Sequence, residues 1–348
     1  MRKSWITTWL LAGWISSAAG AAPLEATVEV PVAPIAASVF QGWTNAFVLK
    51  NPLLEVVIVP EIGRMIRLAP KGESNLLRLD DRLAGRSPEV REGEEWLNFG
   101  GNWLWPVAQT RWPMMSEREW PPPPPLAEEP WSGSAWQGAD DSQYCLLTRT
   151  FGPPVNLKVS RLFKLDRADR RVTIRQRAER AGRSSIPVSL WTVTQVDRPD
   201  QLILPVDEST TFEGGYKPLL FGNPPEELLT RLPGILVYRV QPGQEHKVGT
   251  DSERGWIAAR RGRWMLVQRF APEECEKGQP DDGCTVEMYA HADLGYAEMQ
   301  TLSDERALGK GRALQHNVAI ECWPIPSKRS AEEAIAELRQ RLGEGAEP

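Results

Sequence analysis

At 348 residues, with 41 basic and 46 acidic side chains and a formal net charge of -5, the chain is long enough for two ordinary domains. It lacks the basic surplus that a phosphate backbone demands, which argues against nucleic acid as a partner. Fifteen tryptophans and 30 prolines against only three histidines point to strands, turns and aromatic surfaces, and sharply limit histidine-based triads and metal centres.

Taken in order, the chain begins with Arg2 and Lys3, an apolar run from Trp5 to Ile15, and small residues suited to cleavage between Ala19 and Ala22. This predicts an export signal over residues 1–22 and a mature protein in the periplasm or outside the cell. The apolar core is short for a membrane span and nothing later reaches 18 apolar residues, so no membrane association is expected after cleavage. Loss of Arg2 and Lys3 leaves 39 basic against 46 acidic side chains, a net charge of -7.

FVLKNPLLEVVIVPEIGRMIRLAP, starting at Phe47, predicts three strands with turns at Asn51-Pro52 and from Pro60 to Gly63. From Asp80 to Ser142 regular patterning lapses, and a long Trp- and Pro-rich loop is expected, with Trp120 to Pro125 as an extended polyproline segment. Seven of the 15 tryptophans fall between Trp96 and Trp136. The densest part is FGGNWLWPVAQTRWP, Phe99 to Pro113. Indole faces beside amide and guanidinium donors suit a sugar ring, which stacks its C–H face on the aromatic surface while its hydroxyls take hydrogen bonds. Asn102, Trp103, Trp105, Gln109, Arg111 and Trp112 are therefore candidate ligand-binding residues. The competing reading is that these tryptophans fill a core.

Strand-like runs then resume: CLLTRTF, VNLKVSRLFKL, RRVTIRQRAE, SIPVSLWTVTQV, GILVYRV, GWIAAR, RWMLVQRF, CTVEMYAH, YAEMQTLS and ALQHNVAIECWPI, separated by short turn signals. In the third of these, Arg171, Thr173, Arg175 and Arg177 share one face and Val172 and Ile174 the other, as in a strand with a solvated side. A short helix is expected from Pro225 to Leu232. The strong helix is the last, residues 330–342, where Ser330 and Glu333 form a capping box and Ala331, Ala334, Ile335, Leu338 and Leu342 line one face. The fold class is all-β, an antiparallel sandwich spanning 23–343 with a C-terminal amphipathic helix over a sheet and a disordered tail at 344–348. Cys275 and Cys284 bracket a turn-rich hairpin tip and are the expected local disulfide; Cys145 and Cys322 either pair across strands or stay thiols. The four are not spaced as a zinc site, and neither a metal nor a cofactor is expected.

Among groups able to move protons, His291 in EMYAHADLGY lies beside Glu287 and Tyr289, and Glu298 and Gln300 share one face of the following strand. FGGNWLWPVAQTRWP, VVIVPEIGRMIRL, WTVTQ at Trp191 to Gln195, and YAEMQTLS together resemble an uncharacterised family of exported bacterial proteins related to aldose 1-epimerases, in the galactose mutarotase-like superfamily. The resemblance covers about Gly42 to Pro324. It implies a large antiparallel β-supersandwich with a sugar site in a concave cleft. In the epimerases a glutamate near the start of the penultimate strand takes the anomeric proton and a histidine protonates the ring oxygen. Glu298 matches the first and is the candidate base; no histidine precedes His246, and Gln109 and Gln195 stand in comparable places. A neutral amide binds a ring oxygen but does not protonate it. The expected function is thus a monomeric carbohydrate-binding protein with a mono- or oligosaccharide ligand held by Trp103, Trp105, Trp112, Asn102, Gln109, Arg111, Gln195, Gln300 and Arg149, the last suited to a sugar carboxylate. The alternatives are an aldose or sugar-acid 1-epimerase, with Glu298 as base and His291 as candidate acid, and a polysaccharide lyase-like enzyme.

Overall fold

The computed structural model describes residues 31–91, 94, 96–117, 120–271, 280–326 and 331–344. The expected signal segment 1–22 lies outside them. Two antiparallel sheets form the body. One has ten strands in the spatial order Lys217–Leu220, His246–Thr250, Val286–Ala290, Tyr296–Leu302, Trp191–Asp197, Asn102–Trp105, Arg64–Pro70, Leu54–Val59, Trp43–Lys50 and Ser38–Phe40. The other has twelve, among them Ser132–Gly138, Gln143–Phe151, Leu157–Leu165, Arg171–Arg180, Val318–Pro324, Trp264–Phe270 and Trp256–Arg261 side by side. This is the large β-sandwich that the strand pattern predicts, and the C-terminal helix Ala331–Leu342 lays Ala334, Ile335 and Leu338 on Trp256 and Trp323 of the twelve-stranded sheet.

Alternation explains most of the sheet. In Leu157–Leu165, residues Leu157, Val159, Arg161, Phe163 and Leu165 point inward, and in Arg171–Arg180 the inward set is Val172, Ile174, Gln176, Ala178 and Arg180. Two of those inward residues break the apolar pattern at the same level, because the register sets Gln176 opposite Arg161. They begin a buried polar seam between the sheets. The Arg161 guanidinium donates to Asn102 Oδ1, to Gly63 O at 3.1 Å and to Gln176 Oε1 at 3.2 Å. Asn102 Nδ2 donates to Thr194 Oγ1 at 2.8 Å, Thr194 Oγ1 to Gln268 Oε1 at 2.5 Å, and Gln268 Nε2 to Thr301 Oγ1 at 2.8 Å. Phe163 and Ile174 belong to one apolar cluster, whereas Val159 and Ala178 belong to the cluster that holds Trp103, Trp105, Trp112 and Trp191. The seam therefore divides the space between the sheets into two apolar cores.

Several expectations are corrected. Asp80 to Ser142 is not one irregular loop, since it contributes the strands Asn102–Trp105 and Ser132–Gly138. The proline run is not extended throughout: Pro124–Ala127 forms one helical turn with proline at its first positions, where a missing N–H costs nothing. Instead of a helix over Pro225 to Leu232, a 3-10 turn at Glu226–Leu228 leads into the strand Leu229–Leu232, where edge pairing with Ile235–Arg239 wins over local propensity. Cys145, Cys284 and Cys322 are buried free thiols, so Cys145 and Cys322 stay unpaired; Cys275, the expected partner of Cys284, and Ser330 lie outside the described residues.

Removing Arg161 leaves three buried acceptors without their donor, so Arg161→Met is expected to cost about 3 to 5 kcal/mol of unfolding free energy. Urea denaturation measures it, and a loss under about 1 kcal/mol would show that the seam is replaceable by apolar packing.

Candidate functional site

The strand Tyr296–Leu302 is buried along its whole length, with Trp191–Asp197 on one side and Val286–Ala290 on the other. This register places Gln195 opposite Glu298 on one side and Tyr289 opposite it on the other. Glu298 Oε1 accepts from Gln195 Nε2 at 2.7 Å and Oε2 accepts from Gln300 Nε2 at 2.5 Å, and the residue is only 8% exposed. Burial pushes its pKa above the ordinary glutamate value, while the two amides and the charges of Lys247 and Arg64 oppose the shift without reversing it. Gln300 is fixed in turn, because its Oε1 accepts from Trp191 Nε1 at 3.1 Å.

Glu298 lies on the floor of a cleft of about 630 Å³. One wall is made by Trp96, Trp105 and Trp191, the other by Tyr289, His291 and Tyr296, with the exposed Trp120 and Phe221 at the mouth. Trp105 meets Trp191 at 4.9 Å and Trp112 at 5.0 Å between ring centroids, both edge-to-face, so its orientation is set from behind. On the far wall, His291 Nδ1 accepts from the backbone N–H groups of Asp293 and Leu294 at 3.1 and 3.3 Å, which assigns the proton of the neutral ring to Nε2. Tyr296 OH accepts from Asn98 Nδ2 at 3.2 Å and keeps its own proton to donate, its pKa raised by burial and then by Glu298. Tyr289 OH donates to Glu245.

Lys247 also lines the cleft, with Nζ 2.6 Å from Glu287 Oε2, 3.8 Å from Asp281 Oδ2 and 4.8 Å from the Trp191 ring centre. Glu287 is fully buried, and desolvation pushes it up to about 8 against the pull of Lys247. Burial acts to lower Lys247, but Glu287 and Asp281 outweigh it and the net shift is upward. Lys247 is thus held by Glu287 and Asp281. Among the described residues, no group of three or more His, Cys, Asp or Glu is placed to hold a metal.

Of the residues singled out in the sequence, Trp105, Gln109, His291, Glu298 and Gln300 line this cleft. Gln195 stands one hydrogen bond behind it. The rest are elsewhere. Asn102 is in the polar seam, and Trp103 and Trp112 are core at 4% and 0% exposure, Trp103 carrying the buried Arg64 guanidinium 4.1 Å from its ring centre. Arg111 extends outward to Glu305, with Nη2 to Oε1 at 2.6 Å. Arg149 belongs to the twelve-stranded sheet, where it donates to Pro125 O at 2.6 Å and pairs with Glu129 at 3.0 Å, so it pins the proline-rich segment and does not face the cleft. The strand His246–Thr250, which brings Lys247, is missing from the sequence-based reading; the Pro242-Gly243 turn followed by HKVGT was its available signal. Asn102 owes its position to the preceding glycines. Gly100 and Gly101 have φ of +84° and +79°, and a Cβ on them would meet Arg78 O at 2.2 Å and Met65 O at 2.4 Å.

A family model described as a domain of unknown function, DUF4380, matches residues 45–323. The chain belongs to this family. The DUF4380 chain matches no curated protein. Among solved structures it is similar to a candidate aldose 1-epimerase from Klebsiella pneumoniae, with TM-score 0.59 and 10% identity over 89% of this chain and 87% of that one. A candidate aldose 1-epimerase from Escherichia coli K12 gives TM-score 0.52 and 13% identity over 80% and 99%. A TPR-domain containing protein from Parabacteroides distasonis gives TM-score 0.56 and 14% identity over 82% of this chain, which spans 49% of that longer one. At such identities the likeness is one of fold, and the DUF4380 domain has the galactose mutarotase-like sandwich.

Because Gln195 donates to the Glu298 carboxylate, Gln195→Met is expected to raise the Glu298 midpoint further. Carbon-detected NMR titration of the carboxyl group checks this; an unchanged or lower midpoint would mean that the amide does not stabilise the anion.

Proposed function

We propose that this protein holds a saccharide in the cleft over Glu298. The observation that carries the reading is a carboxylate, gripped by two amides, on the floor between two facing aromatic walls. A sugar offers what such a floor and walls need: apolar C–H faces for the rings and hydroxyl donors for the carboxylate. His291 Nε2–H, Tyr296 OH and the Gln109 amide supply the complementary donors. Similarity of fold to the candidate epimerases is consistent with this reading and adds nothing about residues. The leader Met1 to Ala22 suggests that the work is done outside the cytoplasm.

A second reading, sugar 1-epimerisation, is favoured by the desolvation that raises Glu298, since a base works best with its pKa near the operating pH. There Glu298 takes the anomeric hydroxyl proton, and His291 or a water serves the ring oxygen. The lyase reading loses its charge-neutralising residue, because Arg149 is buried in the twelve-stranded sheet and held there by Pro125 O, Leu126 O and Glu129.

Ligand-detected NMR with neutral sugars and uronic acids reads binding and anomer exchange in one sample. Glu298→Gln is expected to weaken binding about tenfold or more, from loss of a charged acceptor. If turnover occurs, the same variant abolishes protein-dependent exchange; full exchange in Glu298→Gln would remove this residue as the base. Binding by the ionised carboxylate is retained above the raised pKa and lost as pH falls through it, so affinity declines at a higher pH than an ordinary glutamate would give. A pH-independent affinity from 4 to 8 would contradict a carboxylate anchor.

A further inference from the structure

Seven large apolar side chains stand exposed among the described residues, and four of them, Trp120, Leu220, Phe221 and Leu294, ring the mouth of this one cleft. Apolar side chains gathered at one opening mark a contact surface, whereas scattered ones need no explanation.

Two of the four are held in place. Trp120 is 51% exposed, yet its indole stacks on Trp112 at 6.0 Å and 26° and meets Trp96 edge-on at 5.0 Å. Half of the ring is braced and half is open. Phe221 is 57% exposed and has a φ of +63°, a conformation unfavourable for a bulky residue, while its ring leans on Tyr289 at 6.2 Å. Glycine would suit that backbone better, so an aromatic ring is kept there at a cost that its own packing does not explain.

Their spacing says what they contact. Phe221 follows the edge strand Lys217–Leu220, and Trp105, on the Trp120 side, lies on Asn102–Trp105, five strand steps away. At about 4.8 Å a step the two flanks are about 24 Å apart at the backbone. Glu298 is three steps from one and two from the other. A single pyranose seated on Glu298 spans only part of that width, and the exposed rings of Trp120 and Phe221 stand toward its two ends.

We infer that Trp120 and Phe221 are outer stacking platforms, and that the ligand is an oligosaccharide whose inner ring sits on Glu298 and whose further rings lie against the rim. This rests on the saccharide reading above. Neighbouring rings of one chain then gain from both sites together, without new charged contacts.

The test compares glucose with maltose, maltotriose, cellobiose and cellotriose, and galactose and mannose with their β-1,4-linked di- and trisaccharides, by ligand-detected NMR on the mature chain. At least one series should tighten about five- to tenfold from one ring to two or three, as one aromatic platform supplies. Trp120→Ala should erase that gain and leave the monosaccharide affinity within about twofold. Phe221→Gly should also reduce it while leaving thermal stability equal or higher, since glycine relieves the backbone; a residue kept only for packing would lose stability instead. Equal affinity at every chain length, or variants that keep the gain, would overturn the outer platforms while leaving a monosaccharide site intact. No binding by any series would overturn both this inference and the saccharide reading.

Discussion

The two sheets close around a guanidinium that has no carboxylate partner among the described residues. Arg161 is fully buried, and burial, then the charge of Arg64, lowers its pKa to about 9. What compensates it is a set of neutral acceptors drawn from both sheets and from Gly63. A one-residue slip of Leu157–Leu165 would turn Arg161 outward and abandon all three acceptors, and a slip of Arg171–Arg180 would remove Gln176 from the set, so the seam helps to fix the register alongside the apolar cores. The cost of burying polar groups is converted into a single permitted alignment.

That alignment also builds the cleft. Asn102, which accepts from Arg161, begins the strand that ends in Trp105, and Thr194, which receives the Asn102 amide, precedes Gln195. Inward residues of these strands tie the sheets together, while neighbouring positions hold the carboxylate and the indole wall. Glu298 is fixed similarly: Gln195 and Gln300 grip it, and Trp191 grips Gln300. The site is therefore preorganised by regular strands, with the loops left to shape its mouth.

The strand architecture was legible because alternation is a local signal, and runs such as LKVSRLFKL show it without knowledge of their neighbours. Arg161 and Gln176 were visible as polar residues in apolar rows, but their meaning was not, since their partners come from strands far away in sequence. Of the tryptophans that density singled out as ligand-binding, Trp105 lines the cleft whereas Trp103 and Trp112 are core, and Trp191 and Trp120 line the cleft beside Trp105. Exposure depends on which side of a bent segment faces the partner sheet, and composition does not record that. Lys247 was lost with its short strand. Arg149 suits a sugar carboxylate by its charge, but its two terminal nitrogens are already engaged by the backbone carbonyls of Leu126 and Pro125.

The indoles have an optical consequence. Trp96, Trp103, Trp105, Trp112, Trp120 and Trp191 form a connected set in which each ring has a neighbour within 6.4 Å. At such separations excitation passes among the rings, so their emission and near-ultraviolet circular dichroism belong to the group. One edge of that group is the wall of the cleft. Whatever enters there alters the light from six residues at once, and the protein carries its own reporter of occupancy without any attached dye.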